Sequence, residues 1–214
     1  AIELTQNAKD AGADAALIIA PYYNKPTQDG MIAHFTAIHD AVDIPIILYN
    51  VPGRTVVDIS NETVGRLAEL PRIVGIKDAS GDLARPIEIA RLAGKDFCQL
   101  SGDDITAAAH LAQGGVGVVS VIANVVPDMT AGLQNAWQAG DMEMVGELRD
   151  RLGPLADDAF CESSPSPIKY AASTLGLCQE DVRLPILPAS KMARSKIDAA
   201  LAYAGVDAKQ VDAA

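Results

Sequence analysis

Five short apolar runs punctuate the first 124 residues of the chain: AALIIAPYY at Ala15–Tyr23, IPIILYNVP at Ile44–Pro52, RIVGIKDAS at Arg72–Ser80, FCQLSGDD at Phe97–Asp104 and VGVVSVIAN at Val116–Asn124. Their apolar parts are nearly continuous rather than alternating, as in strands buried on both faces of a parallel sheet. They predict strands near 15–22, 44–50, 73–78, 97–101 and 116–122. Between them the period becomes helical. In Thr27–Val42 the apolar positions Met31, Phe35, Ile38 and Val42 follow at steps of 4, 3 and 4. Ser60–Leu70 opens on a capping serine with Glu62 in its first turn, then places Val64 and Leu67. Ile87–Leu92 and Ile105–Gln113 complete the set, the second halted by Gly114-Gly115. The runs start at residues 15, 44, 72, 97 and 116, in steps of 29, 28, 25 and 19. A strand, a loop and a helix occupy about 25–30 residues, so this part reads as a repeated βα unit.

Beyond Asn124 the β-rich runs cease. The pattern predicts helices around Asp128–Ala139, Met142–Ala159, Pro167–Leu175 and Ala189–Ala204, with proline-rich joints at 165–167 and 185–188. Parallel strands in this number suit two α/β architectures: an open doubly wound sheet, or part of a (β/α)8 barrel. Both gather chemistry at the carboxyl ends of strands, which is where the apolar runs stop.

Composition narrows the function classes. The 214 residues carry 17 basic and 28 acidic side chains, a net charge of −11 with a pI near 4.6. That balance argues against nucleic-acid or anionic-membrane binding, both of which need a basic face. No run of about 18 apolar residues predicts a membrane span, and no basic-then-apolar leader opens the chain. The start at Ala1 reads as the result of processing or as a piece of a longer chain. Cys98, Cys161 and Cys178 are odd in number and form no CxxC motif, which predicts buried free thiols in a reducing cytoplasm.

Several strand ends carry candidate chemistry. Three of the five tyrosines, Tyr22, Tyr23 and Tyr49, lie there. Lys77 ends a run expected to be buried, where an ammonium is disfavoured and a neutral, nucleophilic amine results. An interior ion pair with Asp78 or another carboxylate is the competing reading. Pro52-Gly53 predicts a tight turn that brings Arg54 back over the strand ends, where a guanidinium can grip a carboxylate; in isolation it would be a solvated arginine. Asp103 and Asp104 read as helix caps rather than metal ligands, since no histidine or third carboxylate is near. GGVG at 114–117 precedes its strand and lacks the spacing of a phosphate loop. His34, His39 and His110 read as solvated or packing residues, 34 and 39 being too far apart to share one helical face as ligands.

Taken together, PYYN at 21–24, YNVPGRT at 49–55, GIKDASGD at 75–82, SGDD at 101–104, the stretch closing at Asn124, SPSPIK at 164–169 and RLPILP at 183–188 resemble the dihydrodipicolinate synthase family of pyruvate-dependent lyases. The resemblance runs along the whole chain. It implies a (β/α)8 TIM barrel, here strands 4–8 only, over 1–140, and a helical C-terminal domain over 141–214. The first three βα units, with a Gly-Thr-Thr-Gly-Glu loop that binds the pyruvate carboxylate, would be absent. Ser164 stands where asparagine is more usual. The resemblance further implies a Schiff base between Lys77 and pyruvate, with Tyr49 as general acid/base and Tyr23 in a proton relay reaching a neighbouring subunit. Arg54 would hold the carboxylate of aspartate semialdehyde, the second substrate. Val119 and Gly102 would line the pyruvate pocket, and Tyr22 would belong to an inhibitor site for lysine. No metal or organic cofactor is implied, and a dimer-of-dimers homotetramer is. The alternatives are another pyruvate-type aldolase, such as an N-acetylneuraminate lyase or a keto-deoxy-sugar aldolase, and a non-catalytic truncated chain.

Overall fold

The computed structural model describes residues 1–206. Helix α1 (Ile2–Asp10) leads to strand β1 (Ala16–Ile19). There follow α2 (Gln28–Ala41), β2 (Ile46–Asn50), α3 (Pro52–Thr55), α4 (Asn61–Ala68), β3 (Ile73–Asp78), α5 (Arg85–Ala93), β4 (Cys98–Ser101), α6 (Ala107–Ala112) and β5 (Gly117–Val118). The chain divides into two compact units, Ala1–Val119 and Ser120–Ala214.

In the first unit all strand pairings are parallel and the order across the sheet is β1-β2-β3-β4-β5, the order of the chain. Parallel neighbours require a crossover, and the helices supply it. Thr27 and Ser60 cap α2 and α4 by accepting the Gly30 and Thr63 N–H groups, each at 3.2 Å. Their apolar stripes (Met31, Phe35 and Ile38; Val64 and Leu67) are buried with Leu48 and Ile76 of the sheet in one core. On this face the strands are covered. The other face carries Leu17, Ile19, Tyr49 and Lys77, none of them fully buried. The expectation of burial on both faces is therefore met on one only. A groove of about 590 Å³ runs beside β1, lined by Leu4, Leu17, Ile19, Tyr22 and His34 among others.

In the second unit a short 3-10 turn (Ile122–Asn124) precedes α7 (Pro127–Ala139), α8 (Met142–Asp158), α9 (Ser166–Thr174) and α10 (Lys191–Ala204). Leu133, Leu148, Leu155, Ile197 and Leu201 are among its buried residues. No helix among the described residues is long and apolar enough to cross a membrane.

Three departures from the sequence pattern have local causes. Helix α1 was not expected: IELTQNAKD is polar-rich and buries only Thr5. The last strand stops at Val118, because Ser120 Oγ accepts the Ala123 N–H at 2.9 Å and draws the backbone into the 3-10 turn. Pro52-Gly53 starts a four-residue helix rather than a tight turn, proline being well suited to a first helical position.

Candidate active site

Tyr49 and Lys77 are register partners on β2 and β3. Paired residues of a parallel ladder project from the same face, so both side chains stand on the less covered side of the sheet at its carboxyl edge. Lys77 Nζ lies 4.0 Å from the centroid of the Tyr49 ring. The amine thus rests on the ring face instead of being directed at the phenol oxygen, and Lys77 is half-buried rather than largely buried. Both side chains stand on the face of the sheet that is the less covered among the described residues. Burial lowers the Lys77 pKa from that of an ordinary lysine, while the Asp104 carboxylate works against the shift. Burial raises the Tyr49 pKa, opposed by the Arg54 cation. The Arg54 cation thus bears on the tyrosine.

Asp78 does not pair with Lys77. It points to the opposite face, where its carboxylate accepts Arg85 Nε at 2.8 Å. Lys77 forms no ion pair among the described residues, although the Asp104 carboxylate bears on it.

Gly102 continues the row beyond Lys77. Its N–H donates to Asp78 O at 2.6 Å. A Cβ at Gly102 would sit 2.7 Å from Ala79 Cβ and 3.0 Å from Lys77 Cε. A glycine here is what lets the lysine chain lie along the sheet. Val119 follows β5, its N–H donating to Ser101 O at 2.8 Å, with its side chain exposed. Lys77, Tyr49, Gly102 and Val119 therefore share the carboxyl end of the sheet.

Arg54 sits on α3, exposed, and its side chain makes no hydrogen bond or ion pair among the described residues. Tyr22 and Tyr23 are 64% and 91% exposed on the loop after β1. No hydrogen bond, ion pair or ring contact joins either to Lys77 or Tyr49 among the described residues. Tyr23 holds a φ of +64°, rare for a bulky side chain.

Other expectations need correction. Neither Asp103 nor Asp104 caps α6; Thr106 is the cap residue, and Asp103 accepts the Thr106 hydroxyl at 2.7 Å. The three thiols are free, yet Cys178 is exposed and only Cys98 and Cys161 are partly buried. Sequence reasoning missed Asn50, Asp58 and Arg85, which join Asp78 in a network behind the site. Only the Asp-and-Arg spacing of KDASGDLAR hinted at it, and that spacing is no motif.

A lysine whose ammonium is disfavoured by burial, beside a tyrosine at the carboxyl edge of a parallel α/β sheet, is an arrangement suited to the class of enzymes that attack a carbonyl with an amine. The chain belongs to the dihydrodipicolinate synthetase family, whose model it matches over residues 1–204. It is 57% identical over 206 residues to the 4-hydroxy-tetrahydrodipicolinate synthase of Rhodospirillum centenum, covering 96% of this chain and 71% of the relative. Among solved structures it resembles the dihydrodipicolinate synthase of Acinetobacter baumannii complexed with pyruvate, at 45% identity and a TM-score of 0.92, with 96% of this chain and 71% of the other covered. The enzyme of Cyanidioschyzon merolae with lysine bound superposes with a TM-score of 0.92 at 36% identity, covering 96% of this chain and 70% of that one.

Proposed function

We propose that this protein condenses pyruvate with L-aspartate 4-semialdehyde to give 4-hydroxy-tetrahydrodipicolinate, a step of lysine and diaminopimelate biosynthesis. The observation that carries the reading is the Lys77 amine, with its lowered pKa, resting on the Tyr49 ring at the carboxyl edge of the sheet. The relatives bear the synthase name, which favours this reaction over that of a sialic-acid lyase or a keto-deoxy-sugar aldolase.

The chemistry follows from the amine. Neutral Lys77 adds to the keto carbon of pyruvate, and water leaves as the iminium forms. Loss of a methyl proton gives the enamine, whose carbon attacks the aldehyde. The substrate's own amine then adds to the iminium carbon, closing the ring and expelling Lys77. Each transfer needs a proton carrier. Tyr49, with its raised pKa, stays protonated near neutrality and serves as donor. The iminium is itself the electron sink, so the reaction calls for no metal or organic cofactor.

The remaining assignments belong to the same reading. Arg54 takes the carboxylate of the second substrate. Gly102 and Val119 line the pyruvate pocket with backbone. Tyr23, exposed and held in a left-handed conformation, completes the proton relay in a neighbouring copy of a dimer-of-dimers. Tyr22 contributes to a lysine-inhibitor site; the similar enzyme of Cyanidioschyzon merolae was solved with lysine bound. The five strands are the fourth to eighth of a (β/α)8 barrel over 1–140, followed by a helical domain over 141–214, of which 207–214 lie outside the described residues. Support comes from the open second face and from β1 and β5, each paired on one side only. The enzyme works in the cytoplasm.

The test is borohydride reduction of the full-length protein with pyruvate, followed by peptide mass mapping. The adduct is expected on the peptide containing Lys77 and absent from Lys77→Ala. An adduct on another lysine, such as Lys169, overturns the mechanism.

A further inference from the structure

We infer that Arg85, Asp78, Asn50 and Asp58 form a positioning network that fixes Arg54 at the site, and through it the carboxylate of the second substrate. The inference rests on the proposed reading of Arg54. Asn50 and Asp78 are register partners, one residue beyond Tyr49 and Lys77, and so lie on the reverse face of the sheet directly behind the pair. Asn50 Nδ2 donates to Asp58 Oδ1 at 2.6 Å and to Asp78 Oδ2 at 3.1 Å, and its Oδ1 accepts the Ile59 N–H at 3.0 Å. Arg85 donates from Nε to Asp78 Oδ2 at 2.8 Å, from Nη1 to Asp58 Oδ2 at 3.4 Å and from Nη2 to Ile59 O at 2.7 Å. Asp78 Oδ1 is held by the Ser80 N–H at 2.8 Å and the Ser80 hydroxyl at 2.5 Å.

What this network grasps is a loop. Asn50 stands just before segment 51–59, and Asp58 and Ile59 close it, so both ends are tied to one cluster. Arg54 lies between them. Its own side chain has no hydrogen-bonding or ionic partner among the described residues, so the loop backbone is what sets the point from which its charge reaches the site. That backbone is strained: Val56, a β-branched residue, holds a φ of +66°. Such a conformation persists only where its surroundings over-determine it. Thr55 Oγ1 does so from within, donating to Val51 O at 3.1 Å and to Val57 O at 2.8 Å. The Asn50–Asp58–Arg85 cluster does so from outside. A buried ion pair adds little stability over an apolar packing of equal volume; here it buys a fixed loop geometry.

The variant to make is Asp58→Ala in the full-length enzyme, because the Asp58 side chain is 51% exposed and lies at the rim of the cluster. Asp58→Asn is the isosteric second variant. Each is expected to raise KM for aspartate semialdehyde about 10-fold, the scale of losing a charged hydrogen bond, with kcat and pyruvate trapping held within about twofold. In an Arg54→Ala background the same substitutions are expected to add less than about twofold, since they act through Arg54. An unchanged KM in both variants of a protein that traps pyruvate, or a penalty that persists in full without Arg54, overturns the inference. Failure of the parent protein to trap pyruvate on Lys77 instead overturns the reading on which it rests.

Discussion

Lys77 lays its ammonium on the ring of Tyr49, 4.0 Å from the centroid, while the tyrosine hydroxyl lies at the rim of the same ring. The two parts of Tyr49 therefore have separable jobs. The ring face supports the lysine, a contact of about 0.5–2 kcal/mol depending on exposure. The hydroxyl handles protons. Tyr49→Phe keeps the ring and removes only the oxygen. Single-turnover trapping of pyruvate is expected to survive in this variant, while steady-state turnover falls about 10²- to 10⁴-fold. Equal loss of both would show that the hydroxyl is already needed to form the imine.

Burial lowers the Lys77 pKa, with the Asp104 carboxylate opposing. The net direction leaves more neutral amine at a given pH than a free lysine has. The rate of pyruvate trapping should rise with pH and level off at a midpoint below the ~10.4 of unperturbed lysine. A midpoint at or above that value would contradict the burial argument. The measurement is the trapping rate across a pH series at saturating pyruvate.

Gly102→Ala tests the room allotted to the lysine. The added methyl would lie 2.7 Å from Ala79 Cβ, 3.0 Å from Lys77 Cε and 3.3 Å from Asp78 O. The lysine chain can give way, whereas Ala79 and the backbone cannot. The expected result is a loss of about 1–3 kcal/mol in urea unfolding together with slower trapping. Normal stability and normal trapping would mean that the glycine is not needed for packing.

Arg85 and Asp78 are 7% and 9% exposed, so Arg85→Ala strands a buried carboxylate. Such truncations cost about 3–5 kcal/mol. The three donors that Asp78 retains from Ser80 and Asn50 place the expected loss at the lower end of that range. A shift in the urea midpoint equivalent to less than about 1 kcal/mol would show that water reaches the pair.

The sheet was legible because a strand run of four to six apolar residues followed by a 3.6-residue stripe admits few readings, and β2, β3 and α2 fall within a residue or two of the positions expected. Lys77 was legible for a related reason: a charge at the end of RIVGI demands an explanation. Its half-burial was not, because the pattern of a strand reports what each face prefers to touch, not what covers it. The Asn50–Asp58–Asp78–Arg85 cluster was hidden because its members come from four segments that pairing and crossover alone bring together. Val56 was hidden too. Nothing in VPGRTVVD marks a valine for a left-handed conformation, which the surrounding bonds impose.

Because strand order repeats chain order, the third of the five strands in sequence is also the middle strand of the sheet, and Lys77 sits on it. In the five strands of this chain taken by themselves, opening begins at the outermost members, β1 and β5, where amides have one neighbour instead of two. Backbone amides of β3 should accordingly exchange with deuterium last, those of β2 and β4 earlier, and those flanking the rims first. Fraying at either rim then leaves the Tyr49–Lys77 contact intact, so the reactive pair outlasts every lesser breathing motion and is lost only when the sheet itself comes apart.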